Sequence, residues 1–210
     1  MKYDSVIGIL TYSKGDFLQG CLHSILNTVS DLERNVIVVA NNSEDEAYIS
    51  EVESIVKSTT ARNITTMHFR RNRGTSAAWN TIARSYDCKY VIIANDDIIV
   101  HSHWHEAMKQ SFALKPHVGV FSFQAKHGKG EWGFVNKASV PLDLSFQEVV
   151  YPPGSFLMFE KEKFDEVGGF PEDLWIGLEE VSFSIEMMKR GYVNYQVGDS
   201  DWKYFFLNHY

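Results

Sequence analysis

Four short apolar runs, Val6 to Leu10, Val36 to Ala40, Ile64 to Phe69 and Val91 to Ala94, punctuate the first hundred residues of this 210-residue chain. Between them, apolar side chains recur at helical spacing. Phe17, Leu18, Cys21, Leu22, Ile25, Leu26 and Val29 follow a candidate cap at Asp16. Tyr48, Ile49, Val52, Ile55 and Val56 repeat the pattern, as do Ala78, Trp79, Ile82 and Ala83 behind Thr75. Parallel strands need long crossovers, and helices supply them with one hand only. The alternation therefore predicts an α/β fold with a mainly parallel sheet, helices on both faces and strand carboxyl ends free to receive a ligand.

After Val100 the alternation lapses. A helix is expected from about Ser102 to Leu114, a strand from Val118 to Gln124, a Gly-rich loop from Gly128 to Gly133 and a strand from Phe156 to Phe159. A last helix is expected from Glu179 to Arg190, closed by Gly191. Pro152-Pro153-Gly154 marks a sharp loop. Neither a repeat nor a linker interrupts the chain, so residues 1–210 read as one domain with 101–210 continuing 1–100. Net charge is −7, from 20 basic and 27 acidic residues, which disfavours nucleic acid as a partner. Cys21 and Cys88 lie in apolar segments with no C-x-x-C spacing and read as buried thiols of a reducing cytoplasm. No apolar stretch approaches the ~18 residues of a membrane span.

The segment YVIIANDDIIV, Tyr90 to Val100, carries the chemistry. Val91-Ile92-Ile93 reads as a strand buried on both faces, and it runs into Asn95, Asp96 and Asp97 where open α/β sheets place their ligands. Two readings of these residues stand: hard oxygen ligands for a divalent cation, or an Asx turn ending a strand.

Other segments fall into one order with it. Thr11-Tyr12 follows the first strand, Asn41-Asn42-Ser43 the second, and Asn72-x-Gly74 with Ala78-x-Asn80 surrounds the third crossover. Near the carboxyl terminus GGFPEDLWIGLEEVSFSIEMMKRGY resembles a Gly-Gly-Phe-Asp-Glu segment followed by Glu-Asp, a helix and Gly-Tyr. Together these resemble the GT-A nucleotide-sugar glycosyltransferases, and among them the large inverting group that builds bacterial polysaccharides.

The resemblance implies a Rossmann-like GT-A fold, with a nucleotide-sugar-binding half over 1–100 and an acceptor-binding half over 101–210. Asp97 takes the place of the last Asp of the family's D-x-D motif, which binds Mn²⁺ or Mg²⁺ on the donor diphosphate. Asn95 and Asp96 fill its other positions. Thr11, Tyr12, Asn41, Asn72, Gly74 and Gly154 take donor-site positions, and His209 matches a carboxyl-terminal metal ligand, although a surface His near the chain end is an equal reading. Glu180 aligns with the family's catalytic Asp, the base toward the acceptor hydroxyl. Glu179 and Glu180 also suit a helix amino terminus electrostatically.

There are departures. Ala40 replaces the first of two acidic residues, leaving Asn41 to contact base or ribose, and Ser182 and Glu186 replace an Asp and an Arg on the last helix. Arg71 or Arg73 meets the diphosphate or forms a solvated turn. Trp132 and Trp175 are sugar platforms or core and rim residues, and His101, His103 and His105 read as surface. The expected activity is metal-dependent inverting transfer from a nucleoside diphosphate sugar, by default a UDP-hexose, to a glycan or other hydroxyl acceptor. The chain ends soon after the His209 position, which implies a soluble acceptor or a partner that completes the acceptor surface. A non-catalytic sugar-nucleotide or glycan binding module remains an alternative. A pyrophosphorylase fits less well, because Thr11-Tyr12-Ser13-Lys14-Gly15 is a poor Gly-rich phosphate loop.

Overall fold

A computed structural model describes residues 2–13, 15–100, 102–123, 125–127, 143–199 and 206–208. The first half alternates as expected: β1 (Tyr3–Thr11), α1 (Gly15–Thr28), β2 (Asn35–Asn41), α2 (Glu46–Ser58), β3 (Ile64–His68), α3 (Thr75–Arg84) and β4 (Cys88–Asn95). All pairings among these four strands are parallel, in the spatial order β3-β2-β1-β4. The chain steps outward twice from β1 and then returns to its other side. Right-handed crossovers then put α1 and α2 on one face and α3 on the other.

The core divides accordingly. Ile7, Ile9, Ile37, Val39, Ile92 and Ala94 pack with α1 and α2, whereas Val6, Val36, Val38, Ala40, Val91 and Ile93 pack with α3. Strand periodicity sends successive side chains to opposite layers. Val91, Ile92 and Ile93 are all fully buried. Each contributes about 1.5–3 kcal/mol of burial, which is why this buried stretch of β4 carries no charge.

The second half adds β5 (Ile98–Val100), α4 (Trp104–Leu114), β6 (Val118–Phe123), β7 (Ala125–His127), β8 (Leu144–Glu148), β9 (Phe156–Glu160), α5 (Lys161–Val167), α6 (Glu179–Lys189), β10 (Val193–Asp199) and β11 (Phe206–Asn208). β9 runs antiparallel to both β4 and β6, β6 and β10 are parallel, and β8 closes the far edge antiparallel. One eight-stranded sheet, β3-β2-β1-β4-β9-β6-β10-β8, thus spans both halves, mainly parallel but mixed in the second. β11 lies between β5 and β7 in a small separate sheet.

Several expectations shift in detail. Asp16 lies within the first turn of α1 rather than capping it, and Gly74 rather than Thr75 occupies the cap position of α3. Asp45 caps α2, its Oδ1 accepting the Ala47 N–H at 2.9 Å. Gly191, at φ 86, closes α6 as expected: its N–H reaches the Met188 carbonyl while that of Tyr192 reaches Met187, a double bond pattern that needs a left-handed residue. The reading of the histidines as surface is wrong for His105, which is fully buried. Its Nδ1 accepts the Ser30 N–H at 3.2 Å and contacts Ser30 Oγ at 2.8 Å, so a loop after α1 supplies the polar partner that a buried ring requires. His103 takes the cap position of α4, and His101 lies outside the described residues. Both cysteines are buried and free. No helix among the described residues is long and apolar enough to cross a membrane.

Candidate active site

Strand order reverses between β1 and β4, and their carboxyl ends, Thr11 and Asn95, open a cleft of about 620 Å³. A crevice forms there because the adjoining loops leave in opposite directions. Thr11, Tyr12, Asn72, Gly74, Asn95, Asp96, Asp97, Gly154 and Glu180 all line this cavity, although they are spread across the sequence. Asn42, Ser155, Trp175 and Glu179 join them.

The floor is polar and internally bonded. Thr11 Oγ1 donates to Asp96 Oδ2 at 2.6 Å and shares a hydrogen bond with the Tyr48 hydroxyl from α2. Behind the acidic pair, the Cys21 thiol donates to the Asn95 carbonyl at 3.5 Å. Burial, followed by the charges of Asp96 and Asp97, raises its pKa well above the ordinary range, so it stays a thiol.

One wall is the turn into α3. Asn42 Nδ2 donates to Asn72 Oδ1 at 3.1 Å and to the Gly74 carbonyl at 3.3 Å, while Asn42 Oδ1 accepts the Arg73 N–H at 2.9 Å. Asn72 Oδ1 also accepts the Gly74 N–H at 2.9 Å. Gly74 adopts φ 75, and a Cβ there would stand 2.6 Å from the Trp175 carbonyl oxygen. That oxygen accepts the Thr75 N–H at 3.1 Å, which joins the turn to the opposite wall. Asn41 is not on this wall. It is fully buried, its Oδ1 accepts the Ser43 N–H at 2.9 Å, and its Nδ2 finds no hydrogen-bond partner among the described residues.

The opposite wall is the segment entering α6. Asn80 of α3 braces it by donating to the Phe170 carbonyl and Glu172 Oε1, each at 2.8 Å, and accepting the Phe170 N–H at 2.8 Å. Leu178 takes φ 67, a left-handed conformation that costs a non-glycine residue about 1–2 kcal/mol, and α6 begins at Glu179. Trp175 and Ile176 line the cleft yet are 59% and 78% exposed, forming an apolar rim. A Cβ on Gly154 would come within 3.2 Å of the Glu180 side chain, so glycine lets that loop lie against the carboxylate's stem. Glu179 is only 7% exposed, and burial, then the charge on Glu180, raises its pKa.

Four carboxylates therefore face the cavity, and no Lys or Arg is among its described lining residues. Arg70 pairs with Glu46 at 2.6 Å, Arg73 lies over the Phe69 ring and donates to Thr81 Oγ1 at 3.4 Å, and Arg71 is exposed. Among the described residues no three His, Cys, Asp or Glu side chains converge to hold a metal by themselves. Trp132 and His209 lie outside the described residues. Ala40 sits in the apolar layer under α3, and Glu186 pairs with Lys189 at 2.6 Å on the surface. Sequence reasoning missed Tyr48 and Asn42 as site-builders. Tyr48 reads as one more apolar position of α2, whereas the Asn41-Asn42-Ser43 cluster at a strand end is a signal for Asn42.

The sequence profile of glycosyl transferase family 2 matches residues 6–174, and the chain belongs to that family. Solved structures share its GT-A fold. Mannosyltransferase PcManGT from Pyrobaculum calidifontis, in complex with GDP-Man and Mn²⁺, is similar at TM-score 0.74 and 16% identity, over 93% of this chain and 55% of that one. S. aureus TarS 1-349 in complex with UDP-GlcNAc gives TM-score 0.73 and 16% identity over 99% of this chain and 58% of that one. GalNAc-T7 with UDP, GalNAc and Mn²⁺ gives 0.74 and 15% over 93% and 42%. The chain thus spans well under two thirds of the length of these structures. No curated protein sequence matches it.

Proposed function

We propose that this protein transfers a sugar from a nucleoside diphosphate donor to a hydroxyl acceptor, with inversion at the anomeric carbon and dependence on Mn²⁺ or Mg²⁺. One observation carries the reading: four carboxylates and no described basic side chain line a cleft at the switch point. Such a cavity repels a diphosphate unless a divalent cation accompanies it. The donor set fits, since Asp97 offers a hard oxygen ligand at the cleft and leaves further positions to diphosphate oxygens. Asp97 and His209 would hold the cation, and when bound it would neutralise charge on the leaving diphosphate.

Tyr12 and the Asn42-braced turn of Asn72 and Gly74 would receive the nucleotide, with Asp96 and Asn95 toward its ribose or sugar. Glu180, across the cavity, would take the acceptor hydroxyl's proton as that oxygen bonds to the anomeric carbon. The bond from this carbon to the phosphate oxygen breaks, and the nucleoside diphosphate carries its electron pair away. A positioned base contributes about 10²–10⁴ in rate. Glu179 is buried at 7% exposure, so the part-exposed Glu180 is the carboxylate that an acceptor can reach.

Incubation with Mn²⁺ and a panel of UDP-, GDP- and dTDP-sugars tests the reading, because water can replace the acceptor and release nucleoside diphosphate slowly. Asp97→Ala is expected to abolish metal-dependent donor binding, and Glu180→Gln to spare binding but remove turnover. Equal loss of binding and turnover in Glu180→Gln would rule out its role as base. Donor binding without release from any sugar would point instead to a binding module.

A further inference from the structure

We propose that Tyr48 is a positioning residue for Asp96 and acts through the Thr11 hydroxyl; this rests on the donor-binding role given to Asp96. Thr11 has one hydroxyl proton and spends it on Asp96 Oδ2 at 2.6 Å, so its bond with Tyr48 must be one that Thr11 accepts and Tyr48 donates. The chain Tyr48→Thr11→Asp96 therefore has a single direction and ends on the carboxylate.

Its members are held by three different elements. Tyr48 is in the first turn of α2 and 5% exposed, Thr11 is the last residue of β1 and 1% exposed, and Asp96 follows β4 at the cleft surface. Turning the carboxylate about its last torsion would break the Thr11 bond. Breaking it would leave the buried Thr11 hydroxyl proton without its acceptor, beside a ring that the core already fixes. A bond accepted from Tyr48 also polarises the Thr11 hydroxyl and strengthens the one it donates. Tyr48 thus contributes to the cleft without touching anything that enters it.

Removing the phenolic oxygen alone is the informative perturbation, since Phe preserves the ring packed against Val52 and its neighbours in the same core layer. With Mn²⁺ present, calorimetric Kd values for UDP and GDP identify the nucleotide that binds the unmodified protein. For that nucleotide, Tyr48→Phe is expected to weaken binding about three- to tenfold, the usual scale for one net hydrogen bond. Thr11→Val should produce a similar loss, and Thr11→Ser, which keeps the hydroxyl, should not.

The decisive measurement is a double-mutant cycle, with thermal denaturation confirming that each variant is folded. In an Asp96→Ala background, which removes the acceptor of the Thr11 hydroxyl, adding Tyr48→Phe should change Kd less than twofold if Tyr48 acts through Asp96. A Tyr48→Phe effect of equal size in both backgrounds would assign Tyr48 a general structural role and overturn the inference alone. No effect of Tyr48→Phe on the unmodified background would overturn it too. Failure of both nucleotides to bind the unmodified protein would overturn the donor reading, and this inference with it.

Discussion

Acid should unfold this protein through His105, and the magnitude follows from its surroundings. Because the ring accepts the Ser30 N–H at Nδ1, its neutral form carries the proton on Nε2. A second proton would have to enter at Nδ1 and displace that bond in a fully buried site. Burial, then the Lys109 ammonium, lowers its pKa from the ordinary 6.5 to about 4, with Asp31 and Asp4 opposing more weakly. The folded pKa lies below the unfolded one, so between pH 6.5 and 4 the unfolded chain binds more protons, and stability falls as pH falls. Integrating over that window gives a loss of about 2 kcal/mol by pH 5 and about 3 kcal/mol by pH 4, relative to pH 7. For a domain whose whole stability is about 5–15 kcal/mol, this is a large share.

Urea unfolding at pH 7, 6, 5 and 4 reads the effect, with His105→Gln as the comparison. Gln retains an acceptor for Ser30 but does not titrate here. The unmodified protein should lose stability relative to the variant by these amounts as pH falls. Parallel curves would refute the burial argument, because every carboxylate contribution is common to both proteins.

Two further substitutions probe the cleft walls. Gly74→Ala places a Cβ 2.6 Å from the Trp175 carbonyl oxygen at φ 75, so it should cost about 2 kcal/mol or more of stability and weaken nucleotide binding, as denaturant midpoint and calorimetry would report. Glu179→Gln removes a carboxyl whose raised pKa means that the folded state binds more protons; that contribution destabilises as pH rises above the ordinary carboxylate range. The variant should therefore be more stable than the parent at pH 7 and lose this advantage at pH 4, and a lower melting temperature at pH 7 would contradict the burial assigned to Glu179.

Strand and helix were legible where burial acts on both faces or on one clean stripe. β1, β2 and β4 each contain a continuous apolar run, and α1 and α2 show their buried positions at helical spacing. β8 and β10 were not legible, because LSFQE and VNYQVGD mix polar residues into a position near the sheet edge. α5 is one short charged segment, KEKFDEV, whose helicity depends on Phe164 docking into the core. Asp96, Asp97 and Glu180 stood out because charge interrupts apolar sequence or opens a helix. Tyr48 and Asn42 did not, since their importance lies in partners far away in sequence. His105 misled for the same reason: its polar partner is Ser30, 75 residues earlier.

β11 also bears on how the folded chain avoids self-association. Its three residues fill the gap between β5 and β7, covering one edge of each. Trimming by a protease before Phe206 would uncover both edges beside the cleft, and exposed strand edges recruit strands from other molecules. The same short strand, exchanged between two copies, would satisfy both edges in a domain-swapped pair. β11 is therefore a safeguard against aggregation, and its removal would open both edges as well as take away His209, the second proposed ligand of the cation.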